Sequence, residues 1–97
     1  FTIADMATKV EAARLLVHQA AKLKDNKQSP ALLSSMAKYY AAEVANEVAY
    51  KALQLHGGYG FVKDYRIERI YRDARILSIY EGTSQVQQIV IAGNVLK

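Results

Sequence analysis

Residues 29–57, SPALLSSMAKYYAAEVANEVAYKALQLHG, carry one uninterrupted helical pattern between a start signal and a stop signal. Ser29 is a good N-cap, and Pro30 suits the first helical turn because its missing N–H is not needed there. Gly57 supplies the positive φ that is expected just past a helix end. The pattern therefore predicts one long helix that ends at about His56. Its apolar side chains recur at steps of three and four, with small residues beside them that permit close helix approach: Leu33, Met36, Tyr40, Val44, Val48 and Leu55, then Ala37, Ala41, Ala45 and Ala52.

Three further helices are predicted around this long one. The first spans about 3–24, the third spans about 65–79, and the fourth begins where Thr83 or Ser84 can cap it. Each carries apolar residues at helical spacing: Ile3, Met6, Val10, Ala13, Val17, Ala20 and Leu23 in the first, Ile67, Ile70, Tyr71, Ala74 and Leu77 in the third, and Val86, Ile89, Val90 and Leu96 in the fourth. No alternating strand pattern or internal repeat is present, and the connections are short. The sequence thus predicts an all-α fold, an up-down antiparallel four-helix bundle, as a single domain over residues 1–97.

Composition and charge exclude several classes of function. Apolar residues make up 52% of the chain, and there is no Cys, hence no disulfide framework and no thiolate metal site. The net charge of +4 comes from scattered basic residues, including Lys38, which a solvated surface explains. No nucleic-acid motif, no membrane-length apolar run and no metal-ligand spacing around His18 or His56 is found. The N-terminus lacks a signal-peptide pattern and an initiator Met, so the chain looks cut from a longer one.

Glu81 is the first candidate for chemistry, because it falls in the break between the last two predicted helices, directly before Gly82. The start of the fourth helix would favour its negative charge, and Gly82 would let a ligand approach the backbone. The alternative is an acidic residue that merely decorates a helix N-terminus. The glycine-rich residues 57–61 likewise allow either close approach to a ligand or a helix end followed by a turn, and the N–H groups after Thr83 allow either anion binding or capping.

Two stretches of the chain resemble the acyl-CoA dehydrogenase family. Residues 54–61, QLHGGYGF, are similar to its Q-x-x-G-G-x-G-[FY] segment. Residues 72–87, RDARILSIYEGTSQVQ, are similar to its R-D-A-x-x-x-x-I-Y-E-G-T-[SN]-x-[IV]-Q segment. Order and spacing both fit, and the likeness extends over essentially all 97 residues. The second motif is long and specific, whereas the first alone would be weak.

The resemblance implies FAD-dependent α,β-dehydrogenation of an acyl-CoA thioester to a trans-2-enoyl-CoA, with electrons passing to electron-transfer flavoprotein. Glu81 would be the base that removes the α-proton, and its backbone N–H would donate a hydrogen bond to the thioester oxygen. Gly82 and Tyr80 would contact the acyl-CoA. FAD would be bound in two places: by Thr83, Ser84 and Gln85 in the same subunit, and by Gln54, Gly57 and Gly58 from a neighbouring subunit. The protein would then be a homo-oligomer, a dimer or a tetramer.

The sequence also departs from the family pattern. Some relatives carry Arg where this chain has Gly93 or Gln88, so no acyl-CoA contact is assigned to either position and chain-length preference stays open. Full members are about four times as long, so this chain would form one wall of an active site and bind FAD weakly or not at all alone. The resemblance places the enzyme in the cytoplasm of a bacterium or the mitochondrial matrix of a eukaryote. Two alternatives remain: a non-catalytic helical module that self-associates, and an acyl-CoA oxidase.

Overall fold

The computed structural model describes all residues 1–97 and contains helices only. Four α-helices are present: α1 (Thr2–Asp25), α2 (Ala31–Leu55), α3 (Ile67–Ala74) and α4 (Ser84–Val95). Single-turn 3₁₀ helices occupy Gly57–Gly60 and Arg75–Ser78. The predicted all-α class and the number of helices are confirmed. None of the helices is both long and apolar enough to cross a lipid bilayer.

Helix α2 is the central element, because every extensive helix–helix contact in the chain involves it. Ion pairs of Lys9 with Glu47 and of Lys51 with Asp5 show that α1 lies antiparallel to α2. The opposite flank of α2 carries α3, where the rings of Tyr50 and Tyr71 lie 6.3 Å apart. The long helix identified in the sequence therefore organises the fold.

The direction of α4 refines the predicted up-down order. Ser84 bonds to Glu43, and Gln88 bonds to Tyr39, so α4 runs antiparallel to α2. A strict alternation of four helices would have made these two parallel. The reason is the length of α3: with eight residues it spans about 12 Å at 1.5 Å per residue. Because α3 is short, the chain has not reached the N-terminal end of α2 when α4 begins, and α4 continues toward that end.

Two predicted helix ends are wrong and one is confirmed. Ser29 does not cap α2, because the helix begins at Ala31 and its N-terminal flank makes no side-chain capping hydrogen bond. The third helix is α-helical only to Ala74 and then tightens into the 3₁₀ turn, a common way for a helix to end. Thr83 does cap α4, since its Oγ1 accepts a hydrogen bond from the N–H of Val86 at 3.1 Å.

The core is thin, and much of the predicted apolar pattern lies outside it. Only 11 of 97 residues are buried, and most of them are alanines. The accessible surface of 7061 Å² exceeds the roughly 5,500 Å² typical of a compact monomer of this mass. Part of every helix surface has nothing in this chain to pack against, so several predicted inward residues are exposed: Ile3, Val10, Val17, Leu55, Ile70, Tyr71, Val86, Ile89, Val90 and Leu96.

Candidate active site at the turn before helix α4

The turn between the second 3₁₀ helix and α4 has an unusual backbone. Glu81 adopts φ +52° and Gly82 adopts φ +90°, two positive values in succession. For a residue other than glycine this conformation is uncommon and costs of the order of 1–3 kcal/mol, which surrounding structure must offset. A Cβ on Gly82 would lie 2.5 Å from Nε2 of Gln87, the end of a flexible side chain that can move, so the positive φ and not the space around it favours glycine there. The turn is therefore held in a shape that a relaxed chain would not adopt.

Lys38 of α2 binds this turn. Its ammonium group donates hydrogen bonds to the carbonyl oxygens of Leu77, Tyr80 and Gly82, the last two at 3.1 and 2.9 Å. An ammonium has three hydrogens, so all of its donors are used on backbone carbonyls. The 3₁₀ turn before Glu81 and the peptide after it are thus tied to the same point on α2.

Glu81 itself makes few contacts within the chain. Its side chain is exposed, and its backbone N–H donates to no acceptor in the chain. It lies at the edge of an open apolar groove of about 780 Å³ between α1, α2 and the turn. Tyr80 and Lys38 also line this groove, and its floor consists largely of small residues of α2: Ala37, Ala41, Ala42 and Ala45. A carboxylate and a free N–H thus stand together beside an apolar surface.

A second, polar pocket of about 810 Å³ lies between α2, α3 and the start of α4. Thr83, Ser84 and Gln85 all line it, as does Arg75, whose guanidinium bonds to Ser78 Oγ and forms no ion pair. The side chain of Gln85 is exposed and makes no hydrogen bond within the chain. The three predicted cofactor contacts therefore share one wall with an unpaired cation. Glu43 and Glu47 line the same pocket, so its charge is mixed, and the guanidinium of Arg75 is the group in it that suits an anionic part of a polar ligand.

Ser84 differs from its two neighbours. It is 5% exposed, and its hydroxyl donates a 2.5 Å hydrogen bond to Glu43 Oε1 on α2. Its side chain therefore anchors α4 to α2, and only its backbone is left for a ligand. No local pattern indicates this partner, which is 41 positions away along the chain.

The glycine-rich segment lies at the other end of α2 from Glu81. Gln54 is 16 positions after Lys38, about 24 Å along the helix axis at 1.5 Å per residue. Gln54, Gly57 and Gly58 are all exposed there, and Gly57 has the predicted positive φ of +61°. The structure therefore brings the predicted site residues together in two groups, not one.

Charged residues fix α1 to α2 at a distance from the turn. Lys9 bridges Asp5 and Glu47 at 3.1 and 2.8 Å, and Lys51 bridges the same carboxylates at 3.3 and 3.1 Å. Hydrogen bonds from Lys9 and then Lys51 lower the pKa of both Asp5 and Glu47. Hydrogen bonds to Glu47 and then Asp5 raise the pKa of both lysines. On α3, the hydrogen bond from Arg72 lowers the pKa of Glu68.

Lys38 is a site residue that composition alone does not distinguish from the scattered surface cations. A signal was present: Lys38 stands on the same helical face as Ala41, Ala42 and Ala45, at spacings of three, four and seven. A charged residue on an alanine face indicates a buried partner. His56, by contrast, places Nδ1 2.7 Å from the carbonyl oxygen of Ala52 in its own helix, so this ring nitrogen is engaged locally.

Comparison with known proteins identifies the family. The model that describes the acyl-CoA dehydrogenase C-terminal domain matches residues 1–96. This chain belongs to the acyl-CoA dehydrogenase family. The match extends over both groups of site residues and all four helices, so the fold described above is that of the family's C-terminal helical domain.

Individual relatives within the acyl-CoA dehydrogenase family agree. The caffeyl-CoA reductase-Etf complex subunit CarC of Acetobacterium woodii is 62% identical over the whole chain, which spans 26% of that protein. Bovine short-chain specific acyl-CoA dehydrogenase is 52% identical over the whole chain and 24% of its own length. The structure of butyryl-CoA dehydrogenase from Megasphaera elsdenii matches with a TM-score of 0.98 and 42% identity, over the whole chain and 25% of that chain. The chain thus spans about a quarter of the relatives it matches.

Proposed function

We propose that this chain carries the catalytic base of an FAD-dependent acyl-CoA oxidoreductase, and that Glu81 is this base. The observation that carries the proposal is the state of Glu81. Its carboxylate and its backbone N–H are both free of intrachain partners, on a strained turn that Lys38 ties to α2. Backbone strain of this kind clusters at functional sites, where it persists although it lowers the folding stability.

The two free groups of Glu81 would act on neighbouring atoms of a thioester. The carboxylate would accept the proton from the α-carbon, since a positioned carboxylate is an effective general base. The N–H would donate to the thioester oxygen and stabilise the negative charge that develops there. Gly82 and Tyr80 flank the base and would contact the acyl-CoA. The apolar groove beside Glu81 would exclude water once it is covered, which strengthens both interactions.

The polar pocket on the other side of α2 would hold part of FAD. Thr83 and Gln85 would donate hydrogen bonds to it, Ser84 would contribute its backbone, and the free guanidinium of Arg75 suits an anionic group. Bound FAD would supply the acceptor for the hydride that leaves the β-carbon. With one wall of the site in this chain, we expect the isolated chain to bind FAD weakly or not at all.

The second group of residues would bind the FAD of a neighbouring subunit. Gln54 comes 11 positions after Glu43, the α2 partner of Ser84, which is about 16.5 Å along the helix axis, and Gly57 and Gly58 follow beyond it. They would therefore not contact the same group of a cofactor as Thr83. A Cβ on Gly58 would meet nothing within 4 Å, so nothing inside this chain requires glycine there. Contact with a cofactor from another subunit would require it. Oligomerisation, as a dimer or tetramer, would then be part of FAD binding.

A second candidate is the reverse reaction, the reduction of a 2-enoyl-CoA. The relative with 62% identity is named a caffeyl-CoA reductase, whereas the dehydrogenase named above is 52% identical. The same geometry serves both directions, because Glu81 in its acid form would return the proton to the α-carbon. The name of that relative also includes an Etf complex, which supports electron-transfer flavoprotein as the redox partner. One relative is mitochondrial, which agrees with the matrix expected for a eukaryotic source.

The test is Glu81→Gln in the full-length enzyme that carries this chain. Gln keeps the size of the side chain but cannot accept the proton. We expect kcat for butyryl-CoA oxidation, and for caffeyl-CoA reduction, to fall by about 10²-fold to 10⁴-fold with FAD retained. Glu11→Gln, which changes another exposed carboxylate, paired with Arg14 on α1, is the control and should keep full turnover.

Unchanged turnover in Glu81→Gln would refute the role of the base and favour a non-catalytic helical module. Hydrogen peroxide formed in step with the enoyl product, without electron-transfer flavoprotein, would instead identify an acyl-CoA oxidase. Turnover of caffeyl-CoA but not butyryl-CoA would assign the enzyme to the reductases.

A further inference from the structure

We infer that Lys38 is a positioning residue for the catalytic turn: it sets the direction of the Glu81 N–H by holding the carbonyl of the same peptide group. This inference rests on the proposed function of Glu81. It adds a residue from α2 whose side chain is not itself required to touch the substrate.

The N–H of Glu81 belongs to the peptide group between Tyr80 and Glu81. A trans peptide is planar, and its carbonyl and N–H point in opposite directions. The ammonium of Lys38 lies 3.1 Å from the Tyr80 carbonyl oxygen. Fixing this oxygen therefore fixes the Glu81 N–H on the opposite side of the plane. That N–H has no acceptor within the chain, so it is available to a ligand.

Lys38 also holds the peptide after Gly82. Its carbonyl oxygen lies 2.9 Å from the same ammonium. The φ and ψ torsions of Glu81 and Gly82 all lie between the two anchored planes, and both φ values are positive. One cation thus constrains both ends of the segment that aims the Glu81 side chain. Removing it would release a backbone that is strained on its own.

The charge of Lys38 also acts on the peptide between Tyr80 and Glu81. A positive charge on the Tyr80 carbonyl polarises the peptide, which makes its N–H a stronger hydrogen-bond donor. In the proposed reaction this N–H faces an oxygen that gains negative charge. Lys38 would therefore favour the transition state more than the bound substrate, and its loss should lower kcat more than it raises KM.

The test is Lys38→Met in the full-length, FAD-loaded enzyme. Met keeps the length and apolar character of the stem and removes all three donors. Loss of one oxyanion donor lowers kcat by about 10²-fold to 10³-fold, so a donor that is displaced should cost about tenfold to a hundredfold. KM should change by less than about threefold, since the base and N–H remain present. Lys38→Arg, which keeps a cation and several donors, should recover part of the loss.

The decisive readout is the carbonyl stretch of bound crotonyl-CoA, labelled with ¹³C at the thioester carbon, in oxidised enzyme. A well-placed N–H lowers this frequency, and Lys38→Met should shift it back toward the free ligand. Lys51→Met is the matched control: it removes an ammonium from the same helix that contacts only the side chains of Asp5 and Glu47. It should leave both frequency and kcat unchanged.

Several results would overturn the inference. One is Lys38→Met with kcat within twofold of wild type, another is an unshifted carbonyl frequency, and a third is an equal loss of kcat in Lys51→Met. If Lys38→Met does not fold, Lys38→Gln, which is shorter and uncharged, replaces it, and a carbonyl frequency identical to that of wild type in this variant would refute the positioning role. Failure of the proposed function is recognised separately, because Glu81→Gln would then retain turnover.

Discussion

Substitution by alanine should affect the folding stability differently at two glycines of the same 3₁₀ segment. A Cβ on Gly60 would lie 2.5 Å from the carbonyl oxygen of Leu53 and 3.0 Å from its Cγ. The first contact is with the backbone of α2, which cannot move cheaply. Overpacking of this kind costs about 1–3 kcal/mol. Gly58→Ala would meet nothing within 4 Å, so it should leave the folding stability unchanged.

Hydrogen exchange of the full-length enzyme, read by mass spectrometry on peptides that cover residues 53–61, measures this difference. A loss of 1–3 kcal/mol raises the exchange rate of amides that open with the segment by about fivefold to 150-fold. Gly60→Ala should show this increase in exchange rate when the measurement starts from FAD-loaded enzyme. Gly58→Ala should exchange at the wild-type rate within the chain but lose FAD more readily, because we propose that this surface contacts a neighbouring subunit's cofactor.

A Leu53→Ala background separates the two contacts at Gly60. It removes the side-chain contacts at 3.0 and 3.2 Å and leaves the carbonyl at 2.5 Å. The additional effect of Gly60→Ala should therefore persist in that background. Wild-type exchange in Gly60→Ala, or equal increases in Gly58→Ala and Gly60→Ala, would refute the steric reasoning.

Two further predictions concern charge and cofactor. The ionised carboxylates of Asp5 and Glu47 stabilise the packing of α1 on α2, and the pKa of each is lowered from its ordinary value of 3.8 or 4.5. This contribution to the free energy of unfolding is fully present at a pH above those ordinary values and is lost as the pH falls through the lowered pKa values. Acid titration followed by circular dichroism should show this loss, with a smaller pH dependence in Lys51→Met; an identical dependence would contradict the assignment. Gln85→Ala should weaken FAD binding by about tenfold, the equivalent of one hydrogen bond of about 1.4 kcal/mol, as measured by fluorescence titration of the apoenzyme. The control Gln88→Ala, whose amide bonds to Tyr39, should bind FAD normally, and a loss in both variants would remove the specific role of Gln85.

Local signals determined much of what the sequence alone could establish. The helical periodicity of residues 29–57, the positive φ at Gly57 and the cap at Thr83 are properties of neighbouring residues, so they survive without knowledge of the fold. The all-α class followed from them. The family resemblance rested on two short motifs, and the match over residues 1–96 confirmed it.

The tertiary structure alone decided which groups meet. The partners of Lys38 lie 39 to 44 positions away along the chain, and Glu43 meets Ser84 across 41 positions, distances over which periodicity carries no information. The direction of α4 likewise depends on how far α3 extends. The positive φ of Glu81 depends on the contacts that hold its turn, and the exposed faces of α1 and α4 depend on how much surface α2 can cover. Periodicity shows which residues share a helix face, but only packing shows whether that face has a partner.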